Sequence, residues 1–490
     1  MARNSEFFFA AVFLIASAGA QAQTAPNVSQ VLVYSATNPT TGAAAAIFTQ
    51  TTADASHTVQ SDYTVTNDFA QMTRALNANI ATALSIIPLS SPASGVIQRT
   101  DPTTGAEWAE SSTLGPIFTE RAETIGKGHF YIGFSNQDFH FTQYNGTSLN
   151  ALSILDEGGA KSAVGNQIGG NQISTPATIG LGMDVRLSQD IAFLTYGVTD
   201  RFDVSVGLPV VHSAVAARTY NGVIYTGNGA GTNGSNCWCV NTFTAANPDP
   251  LQSQFGQASL GKTGFGDLLI RAKGTIIRTP HAVVAAGADL RAPTGNAQNY
   301  LGVGAASLKP FVAVSFYSKP LRSGIVLSPH FDVGWQFTGN SVLGGALIPA
   351  ISGAYDGRPF TTSKGTMPDV FSWAGGVELA VGHRSTFVAD ILGNQVGWIH
   401  GIPSTITASL SNQLLPTGPT PDKTAVPTQG NAEGLVATGR DVSFGQYNGS
   451  FGYKLRVAGN LIVNVNALVR FDNNGLTARL VPLFGIGYSF

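Results

Sequence analysis

Charge is scarce in this sequence. Asp, Glu, Lys and Arg make up 11% of its 490 residues, against about a quarter in ordinary soluble domains, so a soluble enzyme surface is not expected. The 26 basic and 28 acidic residues leave a net charge of −2, and no basic stripe breaks that balance. The footprint of a nucleic-acid binder is therefore missing. Cysteine is rarer still: Cys237 and Cys239, in Asn236-Cys237-Trp238-Cys239, cannot staple a chain of this length into a disulfide scaffold. A local bridge stiffening a loop after export is expected of them, with metal binding or unpaired thiols as the alternatives. Long apolar runs are lacking too, because nothing after residue 22 approaches the roughly 18 to 20 uncharged apolar residues of a membrane helix. None of the eight histidines stands in a His-Glu-x-x-His motif, and no segment has calcium-loop spacing. Gly264-Phe265-Gly266 with Gly274 lacks the third glycine of a nucleotide fingerprint and alternates like a strand. No catalytic, cofactor-binding or metal-binding set emerges, and the chain is read as a non-enzyme. The enzyme alternative, a lipid-hydrolysing barrel, would need a Ser and a His in register at the barrel surface.

What is present is apolar residue in quantity, 43% of the chain, with 57 glycines. The first 22 residues read as a Sec-type secretory signal: Arg3 gives a weak positive end, Phe7 to Ala20 an uncharged apolar run, and Ala20-Gln21-Ala22 a small-residue cleavage site. Residues 23–126 form a low-charge leader, without Lys or Arg from Gln23 to Thr73. Within it Phe69, Met72, Leu76, Ile80, Ala83 and Ile87 recur at helical spacing, with Asn67 or Asp68 to cap the start and Pro88 to end it. A helix over about 68–87 is predicted, packed below the main domain or plugging it.

From residue 127 to 490 the pattern changes to period-two alternation. Twelve runs carry it, near 127–142, 177–198, 201–216, 264–278, 281–292, 309–319, 322–337, 369–382, 385–394, 441–457, 460–472 and 476–490. Tight-turn residues such as Thr199-Asp200, Thr279-Pro280 and Gly459-Asn460 alternate with long Gly-, Asn- and Thr-rich loops. An even strand count with short and long connections at opposite ends is the plan of an outer-membrane barrel, which places the short turns and both chain ends in the periplasm. The predicted fold is all-β: a transmembrane antiparallel β-barrel of about twelve strands behind a short N-terminal periplasmic or plug segment containing one helix. The last strand is read as one apolar face from Leu476 through Ala478 and Leu480 to Phe490, with Thr477 and Arg479 on the other.

The charged residues of these runs are expected to line the lumen: Asp203, Arg271, Lys273, Asp289, Arg291, His330, Asp332, Glu378, Asp390, Lys454, Arg456, Arg470 and Arg479, together with Asp184, Arg186, Arg201 and Asp267. A constriction selective for one ion sign would gather one charge. The mixture here suits an ion-paired interior, with Asp203 expected beside Arg271 or Lys273. On the lipid side, Trp335, Phe337, Phe371 and Trp373 are placed in an aromatic girdle, and Ile486, Tyr488 and Phe490 form a C-terminal assembly signal for the barrel-assembly machinery.

Several segments resemble a known family: Gly115-Pro116-Ile-Phe118-Thr-Glu120-Arg121-Ala, Tyr196-Gly-Val-Thr-Asp200-Arg201-Phe-Asp203 leading into Gly207-Leu-Pro209, Gly264-Phe-Gly266-Asp267-Leu, and Leu290-Arg-Ala-Pro293-Thr294-Gly295. In that order, over about residues 115–490, they are similar to the outer-membrane transporters named for an association with the MetA pathway of phenol degradation, broadly related to long-chain fatty-acid transporters. The resemblance implies an outer-membrane location and passive movement of a small, apolar or aromatic solute, with no catalytic set to carry over. Twelve strands enclose a lumen wider than a side-chain-filled eight-stranded barrel, which agrees with a channel. The alternative is a non-transporting structural or adhesive surface protein whose long loops are the working part.

Overall fold

The computed structural model of the chain describes residues 25, 27–35, 67–88, 98–100, 107–109, 113–156, 177–220, 229–230, 236–237, 254–318, 325–345, 363–382, 384–400, 403–409, 431–437 and 441–490. The signal over residues 1–22 and the side chains of Cys237 and Cys239 lie outside the described residues.

Twelve antiparallel strands close into a barrel: β1 (Phe130–Phe141), β2 (Ala177–Thr199), β3 (Phe202–Tyr220), β4 (Gln254–Phe265 continued by Leu268–Arg278), β5 (Ala282–Ala292), β6 (Ser307–Phe316), β7 (Ile325–Thr338), β8 (Val370–Val381), β9 (Ser385–His400), β10 (Asp441–Ala458), β11 (Leu461–Arg470) and β12 (Leu480–Ser489). Each strand pairs with the next, and β12 closes the ring on β1, with Leu483 opposite Gln137 and Ser489 opposite Tyr131. Closure of the ring pairs each strand on both sides, with the first half of β4 (Gln254–Phe265) paired to β3 alone, and such pairing is the condition for strands to span a bilayer. Beyond Ser489, Phe490 N–H donates to the Phe130 carbonyl at 2.8 Å, so the last residue is itself part of the seam. At the short-turn end Gly459 takes a φ of +53° between β10 and β11, a left-handed conformation that costs glycine little.

Period two sorts the side chains. Along β12 the outward Leu480, Phe484, Ile486, Tyr488 and Phe490 are exposed while Val481 and Leu483 are buried. Trp335, Phe337 and Phe371 share the outer face, with Trp335 and Phe371 rings 5.8 Å apart, and Trp373 stands opposite Val333 on that same face. The four aromatics share the outer face, as the alternation predicts.

On the longest strands the polarity inverts part-way. β2 has 23 residues and β3 has 19, whereas about 9–11 tilted residues cross a bilayer. Toward the short-turn end β2 presents Leu194, Tyr196 and Val198 outward. Toward the long-loop end it turns Met183, Val185 and Leu187 inward and leaves Asp184 and Arg186 outside, 36% and 43% exposed, ion-paired at 3.2 Å. The barrel therefore projects past its apolar belt. Asp184 and Arg186 are not luminal as the alternation suggested, because in this projecting half it is the interior that is dry.

The leader supplies the other side of that dry interior. Val28–Gln30 forms a 3₁₀ turn that continues into α1 (Val31–Ser35), held by Asn299 Oδ1 accepting from Val28 N–H at 3.2 Å and by the Ser35 and Thr219 hydroxyls at 3.0 Å. Both partners lie toward the long-loop end. α2 (Asn67–Ser85) enters the lumen, burying Leu76, Ile80, Leu84 and Ile87 in one core with Phe139, Val185, Leu187 and Val215 of the wall. Its amphipathic stripe needs a partner, and the apolar inner wall provides it. Tyr300 donates to Asn77 Oδ1, and Gln137 Nε2 donates to the Pro88 carbonyl at 3.0 Å. The helix is thus inside the barrel, and the described residues nearest the N-terminus sit at the long-loop end rather than beside the C-terminus.

Candidate functional site

Below α2, residues 113–129 cross the lumen near the short-turn end as an irregular strap. A peptide without regular structure leaves its backbone N–H and C=O groups unpaired, and burial makes each costly. The barrel wall supplies the missing partners. Lys454 Nζ donates to the Pro116 carbonyl at 2.6 Å, and Thr386 accepts from Leu114 N–H at 3.2 Å. Asp332 accepts from Glu120 N–H at 2.8 Å, and Ser315 from Ala122 N–H at 3.1 Å. Lys273 Nζ donates to the Arg121 and Glu123 carbonyls, both at 2.8 Å, while Asp203 accepts from Ile125 N–H at 3.3 Å. Gly128 N–H then donates to the Gly197 carbonyl at 2.8 Å, leading into β1. Gly197 has no alternative here: a Cβ on it would lie 1.7 Å from the Gly126 carbonyl oxygen.

Side-chain charges complete the strap. Glu120 takes Lys273 Nζ at 2.7 Å and also Arg271, whose guanidinium spans both oxygens of Asp289 at 2.6 and 2.7 Å and lies 5.2 Å from the Phe311 ring centre. Lys273 reaches Asp203 at 4.0 Å, directly across the β3–β4 ladder. Tyr317 donates to Glu123, which also pairs with Arg121 at 3.6 Å. Beside them His330 lies between Asp390 at 2.7 Å and Glu378 at 3.6 Å. Among the described residues no three His, Cys, Asp or Glu side chains converge to hold a metal ion.

Between the end of α2 and the strap lies a partly open cavity of about 110 Å³. Ser85 to Pro88 line it from the helix and Phe118 from the strap, with Leu269, Arg271, Asp289, Arg291, Lys309, Asp332 and Leu392 among its wall residues. Its surroundings are two-natured: apolar from Ile86, Ile87, Phe118 and Leu392, and charged from Arg271, Arg291 and Lys309 set against Asp289 and Asp332. Arg291 donates to the Leu84 carbonyl at 3.2 Å.

Of the residues expected in the lumen, Asp203, Arg271, Lys273, Asp289, Arg291, His330, Asp332, Glu378, Asp390 and Lys454 gather around the strap and this cavity. Arg456 stands half-buried at the short-turn end. Arg470 sits higher, pairing with Asp472 at 3.0 Å and the Asn474 carbonyl at 2.7 Å. Arg479 is not luminal: it is exposed and donates to Gln143 at 3.0 Å. The cause is a break in the last run. Leu476–Thr477 pairs with Gln143–Tyr144, Leu476 and Ala478 are buried, and outward alternation begins only at Leu480. Asp267 binds the 293–306 loop, accepting from Gly295 N–H at 3.0 Å and Val303 N–H at 2.7 Å. Sequence reasoning missed Lys309, Tyr317 and Glu123. The signal for Lys309 was faint, because β6 is apolar on both faces around it. Two of the motif segments, however, touch one another: Thr294 donates to the Gly266 carbonyl at 2.7 Å, and Asp267 accepts from Gly295 N–H at 3.0 Å.

No protein-family model matches the chain, and no curated protein matches it in sequence. In shape it is similar to solved proteins: an outer membrane channel from Pseudomonas putida F1 (11% identity, 75% of this chain and 98% of that one, TM-score 0.38), the Ralstonia pickettii toluene transporter TbuX (10%, 74% and 90%, 0.30), and a FadL homologue of Pseudomonas aeruginosa (10%, 82% and 98%, 0.29). The barrel itself rests on the strand pairing above and not on these likenesses.

Proposed function

We propose that the chain is an outer-membrane channel for passive passage of small, apolar or aromatic compounds, held shut by its own N-terminal leader. The observation that carries the reading is the cavity of about 110 Å³ inside a closed barrel, roofed by Ser85 to Pro88 and floored at Phe118. A barrel serving only as a surface scaffold has no need of an amphipathic compartment at its centre. Sec-type export, short turns in the periplasm and the aromatic solute class follow from the sequence and from the resemblance to the phenol-associated transporters.

The test is flux in liposomes. Deleting residues 23–110 removes α2 and leaves the strap anchored to the wall, so the folded truncation should pass neutral aromatic solutes faster than the full chain and show higher single-channel conductance. If the full chain and the folded truncation both leave flux at the level of empty liposomes, the channel reading is lost and the structural surface protein takes its place.

A further inference from the structure

The cavity's charges are not evenly satisfied. Arg271 holds Asp289 and Glu120, and Lys273 shares Glu120 and faces Asp203, so those carboxylates are committed. Asp332 uses Oδ2 for the Glu120 N–H. Lys309, opposite Asp289 on the β5–β6 ladder, lines the cavity and makes no hydrogen bond and no ion pair within 4.0 Å among the described residues. Arg291, one more step up β5, gives its one hydrogen bond to the uncharged Leu84 carbonyl. Among the described lining residues three cations, Arg271, Arg291 and Lys309, thus face two carboxylates, Asp289 and Asp332, and one further anion would complete the balance.

We propose that this cavity binds a small single-ring carboxylate, its anionic head on Lys309 and Arg291 and its ring against Ile87, Phe118 and Leu392. The proposal rests on the channel reading and names its solute class. Size limits the ligand: an apolar cavity of ~150 Å³ accepts benzene, so about 110 Å³ suits nothing bulkier than a single ring. Charge separates it from a neutral hydrocarbon, since hydrogen bonds between charged groups are roughly twice as strong as neutral ones.

The experiment is equilibrium binding to the full-length protein in detergent micelles, with benzoate, benzyl alcohol and benzylamine as probes. Benzoate should bind best, and Lys309→Met should weaken benzoate by about tenfold or more while leaving benzyl alcohol unchanged. Equal benzoate binding by the native protein and Lys309→Met overturns the proposal, as does benzyl alcohol binding as tightly as benzoate. Should Lys309→Met unfold, Lys309→Gln provides the same comparison with the side-chain length kept. Because micelle binding needs no transport, the two readings fail separately. Neutral flux in liposomes without benzoate binding removes the carboxylate site and keeps the channel; benzoate binding without flux in the open truncation keeps the site and removes the channel.

Discussion

Lys273 and Lys454 donate to main-chain carbonyls of a peptide that has no secondary structure to satisfy it, so these buried cations act as substitutes for a missing strand partner. Removing one leaves both orphaned carbonyls and an unbalanced carboxylate. Lys273→Met should therefore cost about 3–5 kcal/mol, whereas adding Asp203→Asn should restore part of the loss, seen as non-additivity in a denaturant cycle on the folded barrel. Strict additivity would exclude contact between the two. Gly197 makes a sharper probe, because any Cβ there meets the Gly126 carbonyl oxygen. Gly197→Ala should lift the strap from the wall and open a tryptic site after Lys127 while the barrel keeps its heat-modifiable gel mobility; an uncut strap would show that the segment tolerates displacement. The sequence pointed to Asp203, Arg271 and Lys273 through strand alternation alone. It was silent on the partner that Arg271 and Lys273 share, because Glu120 lies in a segment with no period, and only the closed wall reveals what the charges face.

At the scale of the strand, period two located all twelve elements and failed where the surroundings of a strand change along its length. Alternation says which residues share a face, not whether that face is wet. In the projecting half of β2 the inward residues are Met183, Val185 and Leu187, so the charged face that reads as luminal is the outer one. A break at Ala478 and Arg479 shifts the last run in the same way, and a one-residue slip exchanges the faces. Where neither complication applies the register is firm. Spin labels at Trp335, Phe337, Phe371 and Trp373 should report lipid and labels at Gly334 and Ser372 a luminal setting; the opposite pattern would mean that β7 and β8 had slipped by one. The C-terminal seam gives a second test. Deleting Phe490 removes the backbone bonds it exchanges with Phe130, at 2.8 and 3.4 Å, together with one exposed aromatic of the assembly signal, so the yield of folded barrel should fall well below that of a Tyr488→Phe control.

For the whole molecule, the decisive feature is the path of the leader. The first strand begins at the short-turn end, which led the sequence to place both termini there, but the described segments before it are found at successive levels of the lumen. The strap lies at the short-turn end, α2 ends beneath Leu84 and Ile87 in mid-lumen, and α1 rests against Thr219 at the long-loop end. Nothing in the leader's composition encodes that ascent, because its apolar stripe would be equally satisfied by any apolar surface. What directs it inward is the dry inner wall of the projecting barrel, assembled from strands much later in the chain, from Val211 and Val215 of β3 to Val481 and Leu483 of β12. If the long loops face outside, as in membrane barrels generally, a short epitope inserted ahead of Ala25 should be reached by antibody and by protease on intact cells, while an epitope after Phe490 should be reached only once the outer membrane is permeabilised. An epitope at Ala25 that stays hidden until permeabilisation, in cells whose barrel is correctly folded, would place the leader below the barrel and remove α2 from the lumen.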